Sequence, residues 1–196
     1  MKKLAIIHTV NWYNKSVIEP FANPWLKVNP DVEIINIMDD SLLTESLAHG
    51  GPNEAVMRRM VHYYLAAEST GADVLMCSCT TMGPCTRLAR KMIAKPVFNI
   101  DEPMAGEAVR AGNVIGILAT VPTSAPATRE LLNIEAVNQG KDIVLKTVIN
   151  EQAFKHLLAG EIDRHNELVC DELEKLQKEV DVIALGQISL AQIRFN

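Results

Sequence analysis

Aromatic residues are scarce in this chain: two Trp, three Tyr and four Phe make up 5% of 196 residues. With 48% hydrophobic residues, the core must be aliphatic, built from Leu, Ile, Val, Ala and Met, and it suffices for one large domain or two small ones. Basic blocks are lacking, and 19 Lys and Arg against 24 Asp and Glu leave a formal net charge of -5. That balance argues against nucleic acid as a partner. No apolar run approaches the roughly 18 residues of a membrane span, so no membrane partner is expected. The opening MKKLAIIHTV meets His8, Asn11 and Trp12 with no small-residue cleavage site, so it reads as a first strand and not as a signal peptide. The cysteines Cys77, Cys79, Cys85 and Cys170 carry no secretory context, and reduced thiols in a cytoplasm are expected. Their C-x-C-x5-C spacing matches no zinc pattern, so no metal is expected. Gly112-Asn113-Val114-Ile115-Gly116 precedes a strand instead of following one, which fits neither the dinucleotide nor the P-loop context. Chemistry without a cofactor is the simpler expectation.

What is present is an alternation of short β-branched runs with amphipathic stretches, the pattern of βα units around a parallel sheet. Strands are expected at residues 4–8, 32–37, 73–77, 97–100, 114–119, 143–149 and 182–185. Several are continuously apolar, as strands covered on both faces are. Pro52 lies near the start of a helix through Glu68, where Ala55, Met57, Met60, Val61, Tyr64 and Leu65 form a helical stripe before Gly71. Further helices are expected from Pro84 to about Ala94, and at 102–111, 124–138 and 161–179. Residues 15–28 read as a helix broken by Pro20 and Pro24.

The chain resembles itself. Ile6-Ile7-His8-Thr9-Val10 matches Ile117-Leu118-Ala119-Thr120-Val121. At nearly the same offset, Ala72–Gly83 matches Val180–Ser189, with Asp73 on Asp181 and Cys79 on Gln187. Two matches at almost one spacing indicate a duplicated α/β unit. Its boundary falls near Pro103–Gly112, giving lobes at 1–103 and 104–196. Ligands of open α/β sheets sit beyond the carboxyl ends of the strands, so both strand ends are expected to face a shared cleft.

Cys79 ends a strand and is followed by Thr80-Thr81-Met82-Gly83-Pro84. Backbone N–H groups of such a turn attract anions and lower a thiol pKa, so Cys79 is a candidate nucleophile or carbon base. A buried structural cysteine is the competing reading, and Cys77 more naturally packs in the sheet. Thr120-Val121-Pro122-Thr123-Ser124 is a hydroxyl-rich turn that fits either carboxylate binding or a plain helix cap. His8 and Thr9 end the first strand, where His8 reads equally as an acid, a base, a carboxylate donor or a satisfied histidine. His49-Gly50-Gly51-Pro52 reads as a turn after the second strand, with a flap over the cleft as the alternative. His62, His156 and His165 lie on helical patterns and read as solvated or structural.

Four stretches in this order resemble the cofactor-independent aspartate/glutamate/hydantoin racemase superfamily. They are D-V-L-M-C-S-C-T-T-M-G (73–83), K-P-V-F-N-I-D-E-P-M-A-G-E-A (95–108), I-G-I-L-A-T-V-P-T-S (115–124) and D-V-I-A-L-G-Q-I-S (181–189). The resemblance covers nearly the whole chain. It implies an α/β fold of two flavodoxin-like lobes with parallel sheets, related by a pseudo-twofold repeat, with the substrate cleft between them. It also implies a small carboxylate substrate, and a cysteine from each lobe that moves a proton at the carbon next to the carboxylate. Cys79 falls on the first cysteine, Thr80 and Thr81 on carboxylate-binding positions, and Thr120 and Thr123 on the binding turn of the second lobe. The second cysteine falls on Gln187, whose amide neither gives nor takes a proton near neutral pH but can orient a ligand. Ser189 lies nearby and lacks an activating base.

The expected reaction is therefore one-thiol proton transfer by an enzyme of racemase type. Decarboxylation, isomerisation, racemisation with His8 or water as second partner, a cysteine hydrolase served by His8, and a silent carboxylate-binding protein are the alternatives. A homo-oligomer is compatible with the sequence. The chain ends at Asn196 within the helix expected after Gln187, short of the further strand and helix that the resemblance implies. It reads as a truncated sequence, since a missing strand would leave a sheet edge uncovered, with a natural short form as the alternative.

Overall fold

The computed structural model describes residues 1–193 and divides into two compact units, Met1–Ile100 and Asp101–Asn196. In the first unit, β1 (Lys2–His8) leads into a π-helical segment (Asn14–Ala22) and α1 (Asn23–Val28). Then come β2 (Val32–Met38), α2 (Ser41–His49), α3 (Glu54–Ser69), β3 (Val74–Cys77), a 3-10 turn (Thr80–Met82), α4 (Gly83–Ala89) and β4 (Val97–Asn99). The four strands form one parallel sheet in the order β2-β1-β3-β4. Pro20 lies inside the π-helical segment. It lacks the N–H that a regular helix needs there, and a widened turn accommodates it.

The second unit runs α5 (Glu102–Ala111), β5 (Val114–Ala119), α6 (Ser124–Gln139), β6 (Val144–Ile149), α7 (Glu151–Leu158), α8 (Ile162–Leu176) and β7 (Val182–Leu185), followed by a 3-10 turn (Ile188–Gln192). Its parallel sheet has the order β6-β5-β7. Each unit is thus an α/β layer structure whose central strand, β1 or β5, lies between the two strands that follow it in the sheet.

Helical spacing explains the packing. Val56, Met60, Tyr64 and Ala67 of α3 are buried against Ala5, Ile7, Leu75 and Cys77 of the sheet. Asn53 caps this helix, its side chain accepting from Val56 N–H at 2.9 Å. Burying these apolar side chains contributes about 1.5–3 kcal/mol for each large one. In the second unit Ile115, Ile117 and Ala119 of β5 pack against Leu131, Leu132 and Ala136 of α6.

The repeat is visible in how the units are pinned. Asp73 Oδ2 accepts from Lys3 N–H at 2.9 Å, at the start of β1. Its repeat counterpart Asp181 accepts from Asn113 and Val114 N–H at 2.9 and 2.8 Å, at the start of β5. These N–H groups hold the Asp181 carboxyl below the usual carboxylate range.

Two helices are unforeseen and two expectations are corrected. α2 is one of those helices: Ser41 N–H bonds Asp39 Oδ1 at 3.0 Å, His49 is its last residue, and the turn expected at 49–52 follows it with Gly50 in the left-handed region. α7 is also unforeseen. Asn150 caps it through Ala153 N–H at 3.0 Å, and only Ala153 and Phe154 are buried, too few to print a periodic stripe. The helix from Pro84 ends at Ala89, short of Ala94. After Gln187 there is one 3-10 turn where a helix was expected, and the chain end at Asn196 lies outside the described residues.

Gly116 of β5 permits a close approach. A Cβ there would lie 2.8 Å from Leu176 Cδ2 and 2.9 Å from its Cγ. Gly116→Ala is therefore expected to lower stability by about 1–3 kcal/mol, read as a lower urea midpoint. An unchanged midpoint would show that Leu176 turns aside freely.

Candidate functional site

Cys79 leaves β3 in extended conformation and enters the 3-10 turn. Its sulfur receives hydrogen bonds from the Thr9 hydroxyl, from Thr81 and Met82 N–H, and from the Thr81 hydroxyl. Thr9 comes from the end of β1, so the topology itself brings it to the thiol. The expectation of a lowered pKa is corrected. Burial pushes the Cys79 thiol up, and these hydrogen bonds offset only part of that rise. At neutral pH Cys79 is a thiol.

Behind it lies a polar support that sequence reading missed. Asn99 of β4 donates to Cys79 O at 3.1 Å. Its Oδ1 accepts from the Thr86 hydroxyl at 3.0 Å, which in turn meets the Tyr64 hydroxyl at 2.8 Å. Asn99, Thr86 and Tyr64 are all buried. The one signal available was an asparagine at the end of an apolar strand. Cys77 is fully buried in the core, and Cys85 is buried with its thiol pushed up to about 12 by burial and by neighbouring Cys79.

Thr80 differs from its neighbours. Its hydroxyl is buried and has no hydrogen-bond partner among the described residues. Such a group costs about 1–3 kcal/mol when left unsatisfied, so a native turn that keeps one has a reason for it.

His8 is fully buried, stacked on Tyr13 with ring centroids 4.1 Å apart. Its Nε2 faces Asn36 Oδ1 at 2.9 Å and its Nδ1 faces Ser78 Oγ at 2.9 Å. With Asn36 accepting, Nε2 carries the proton and Nδ1 accepts from Ser78. Burial lowers the His8 pKa. The ring is neutral and engaged at both nitrogens, so it braces the residue before Cys79 and is not aimed at the thiol. Among the other histidines, His62 is exposed, His156 pairs with Glu161, and buried His165 bonds Ala153 O at 2.9 Å.

In the second unit, Gln187 follows β7 as Cys79 follows β3. Its Oε1 accepts from Thr120 and Val121 N–H, both at 3.0 Å. Its Nε2 donates to Thr120 Oγ1 at 2.7 Å and to Ser189 Oγ at 3.0 Å. The amide expected to orient a ligand is thus spent inside its own unit, and it engages Thr120 and Ser189 with it. Ser124 Oγ donates to Val121 O at 2.8 Å, while Thr123 is buried at the N-cap position of α6 and its side chain does not cap the helix.

Among the described residues no group of three or more His, Cys, Asp or Glu is arranged to hold a metal ion, and no helix is long and apolar enough to cross a membrane. A model of the Asp/Glu/Hydantoin racemase family matches residues 26–194. The chain belongs to the Asp/Glu/hydantoin racemase family. Solved structures share the fold of these racemases. A putative Asp/Glu racemase from Yersinia pestis is 18% identical with a TM-score of 0.74, over 100% of this chain and 89% of that one. An aspartate racemase homologue from Pyrococcus horikoshii is 15% identical with a TM-score of 0.69, over 100% and 89%. Glutamate racemase from Aquifex pyrophilus is 20% identical with a TM-score of 0.50, covering 74% of this chain; this chain spans 54% of that protein's length. No curated protein matches the sequence.

Proposed function

We propose that this racemase-family chain is a cofactor-independent enzyme that transfers a proton at the carbon α to the carboxylate of a small amino or related acid, with Cys79 as its single carbon acid and base. The observation that carries this reading is the hydrogen-bonded Cys79 sulfur beside the unpartnered Thr80 hydroxyl. Gln187 at the repeat-related position is engaged through both ends of its amide and offers no proton.

In the proposed step the Cys79 thiolate takes the α-proton, and the electron pair left on carbon moves into the carboxylate as an enolate. Thr80 and Thr81, with Thr9 beside the sulfur, are the proposed binding residues for that carboxylate. The protonated thiol then returns a proton to the same face. Thr120, Thr123 and Ser189 keep a supporting role in the second unit, where Gln187 ties Thr120 and Ser189 together.

The test is incubation with candidate amino and hydroxy acids in deuterated water, followed by NMR and polarimetry. Deuterium is expected to enter the α-position with configuration retained. Racemisation as fast as exchange would reject a single thiol. Because burial keeps Cys79 protonated, a second reading is proton donation: a carbon–carbon bond breaks, carbon dioxide leaves, and the electron pair takes the proton from sulfur. Release of carbon dioxide from a geminal dicarboxylate, with one enantiomer formed, would favour it.

A further inference from the structure

Gln187 shows what the end of a central strand holds in this fold. The two units match bond for bond at that point. Ser78 N–H to Ile7 O at 3.0 Å corresponds to Gly186 N–H to Leu118 O at 2.7 Å. Asp39 N–H to His8 O at 3.1 Å corresponds to Asn150 N–H to Ala119 O at 2.9 Å. With those pairs superposed, Thr9 falls on Thr120 and Val10 on Val121. Thr120 and Val121 give both N–H groups to the side-chain amide oxygen, Oε1, of Gln187.

Thr9 N–H and Val10 N–H give theirs to no described residue. Cys79 bonds the Thr9 hydroxyl, but its side chain is too short to fill the pair of amides as a glutamine does. Thr9 is only 2% exposed, so its N–H is cut off from bulk water, and buried orphan N–H groups are rare in native proteins. The Thr80 hydroxyl is a second buried orphan, in the residue after Cys79. Two independent unsatisfied donors therefore belong to the segments that meet at one thiol.

The geometry points to a two-donor oxygen clamp in the first unit: Thr9 N–H and Val10 N–H take one oxygen of a ligand carboxylate beside Cys79, as Thr120 and Val121 take the amide oxygen of Gln187. The second unit carries its own permanent occupant, so the chain binds one such carboxylate and not two. A charged carboxylate makes the stronger partner for paired N–H donors than a neutral amide does. This inference rests on the proposed chemistry at Cys79 and names the donors for its carboxylate.

The experiment is a titration of the full chain with sodium acetate, followed through its backbone amide resonances, with sodium chloride at matched ionic strength as control. In the wild type, the Thr9 and Val10 resonances are expected to shift saturably while those of Thr120 and Val121 stay in place. In Gln187→Gly, Thr120 and Val121 should respond as well. Shifts reproduced by chloride, Thr9 and Val10 amides that do not move, or wild-type movement at Thr120 and Val121 would each overturn the clamp. The wild-type titration decides the matter even if the glycine variant fails to fold. Acetate binding at Thr9 and Val10 without α-exchange would leave the clamp standing and reject the proposed reaction. Exchange without any acetate response there would do the reverse.

Discussion

Cys79→Ala is expected to lower α-deuterium exchange by about 10²–10⁴-fold, the usual contribution of a positioned acid or base. The fold should survive, because Asn99 grips the backbone carbonyl of residue 79 and not its side chain. The wild-type pH profile follows from the direction of the thiol's shift. Burial favours the neutral form, so the Cys79 pKa lies above that of an ordinary cysteine thiol. The reactive thiolate is then a minor species at neutral pH. Exchange should rise about tenfold per pH unit while the thiol stays mostly protonated. Alkylation by iodoacetamide should follow the same curve, with its midpoint above that of free cysteine. A midpoint at or below the free value, or exchange that persists in Cys79→Ala, would remove Cys79 from the reaction.

Gln187→Leu should destabilise the second unit by about 2–4 kcal/mol, because it strips the partner from two backbone N–H donors at once. The site is half-buried, so water can reach part of it and the full sum is not expected. Gln187→Glu supplies the control. Its carboxylate keeps an oxygen over Thr120 and Val121 N–H and accepts from the Thr120 and Ser189 hydroxyls in place of donating to them. Urea midpoints measure both variants, with the glutamate near wild type at neutral pH and the leucine well below it. Equal midpoints for the two would show that the amide bonds of Gln187 carry no stability.

Much of the fold was legible because period-two and period-3.6 patterns survive in single segments. β5 at Val114–Ala119 and β7 at Val182–Leu185 have the expected limits, since continuous apolar runs there reflect cover on both sheet faces. α2 and α7 were missed because their signals are side-chain caps and short half-buried faces, with Leu42 and Ser46 the buried residues of α2 and Ala153 and Phe154 those of α7. Cys79 and Thr9 could be nominated from their positions at strand ends, and Thr80 from the family resemblance. Asn99, Ser78 and Asn36 could not, because their partners are distant in sequence and meet them only after the sheet forms. The ionisation of Cys79 was misread for a related reason. The turn supplied the N–H donors that favour a thiolate, but the extent of burial, which outweighs them, depends on every element packed around the turn.

The sequence by itself determined the alternation of strand and helix, the internal repeat, and the substitution of glutamine for a second thiol, because each is written in local pattern or in residue identity. Only the tertiary structure decided what those residues do next. It turned His8 into a brace held by Asn36 and Ser78, kept Cys79 protonated, and folded the Gln187 amide onto Thr120 and Val121. Each of these outcomes depends on which groups distant in the chain come within hydrogen-bond reach, and on how far water is excluded once they do.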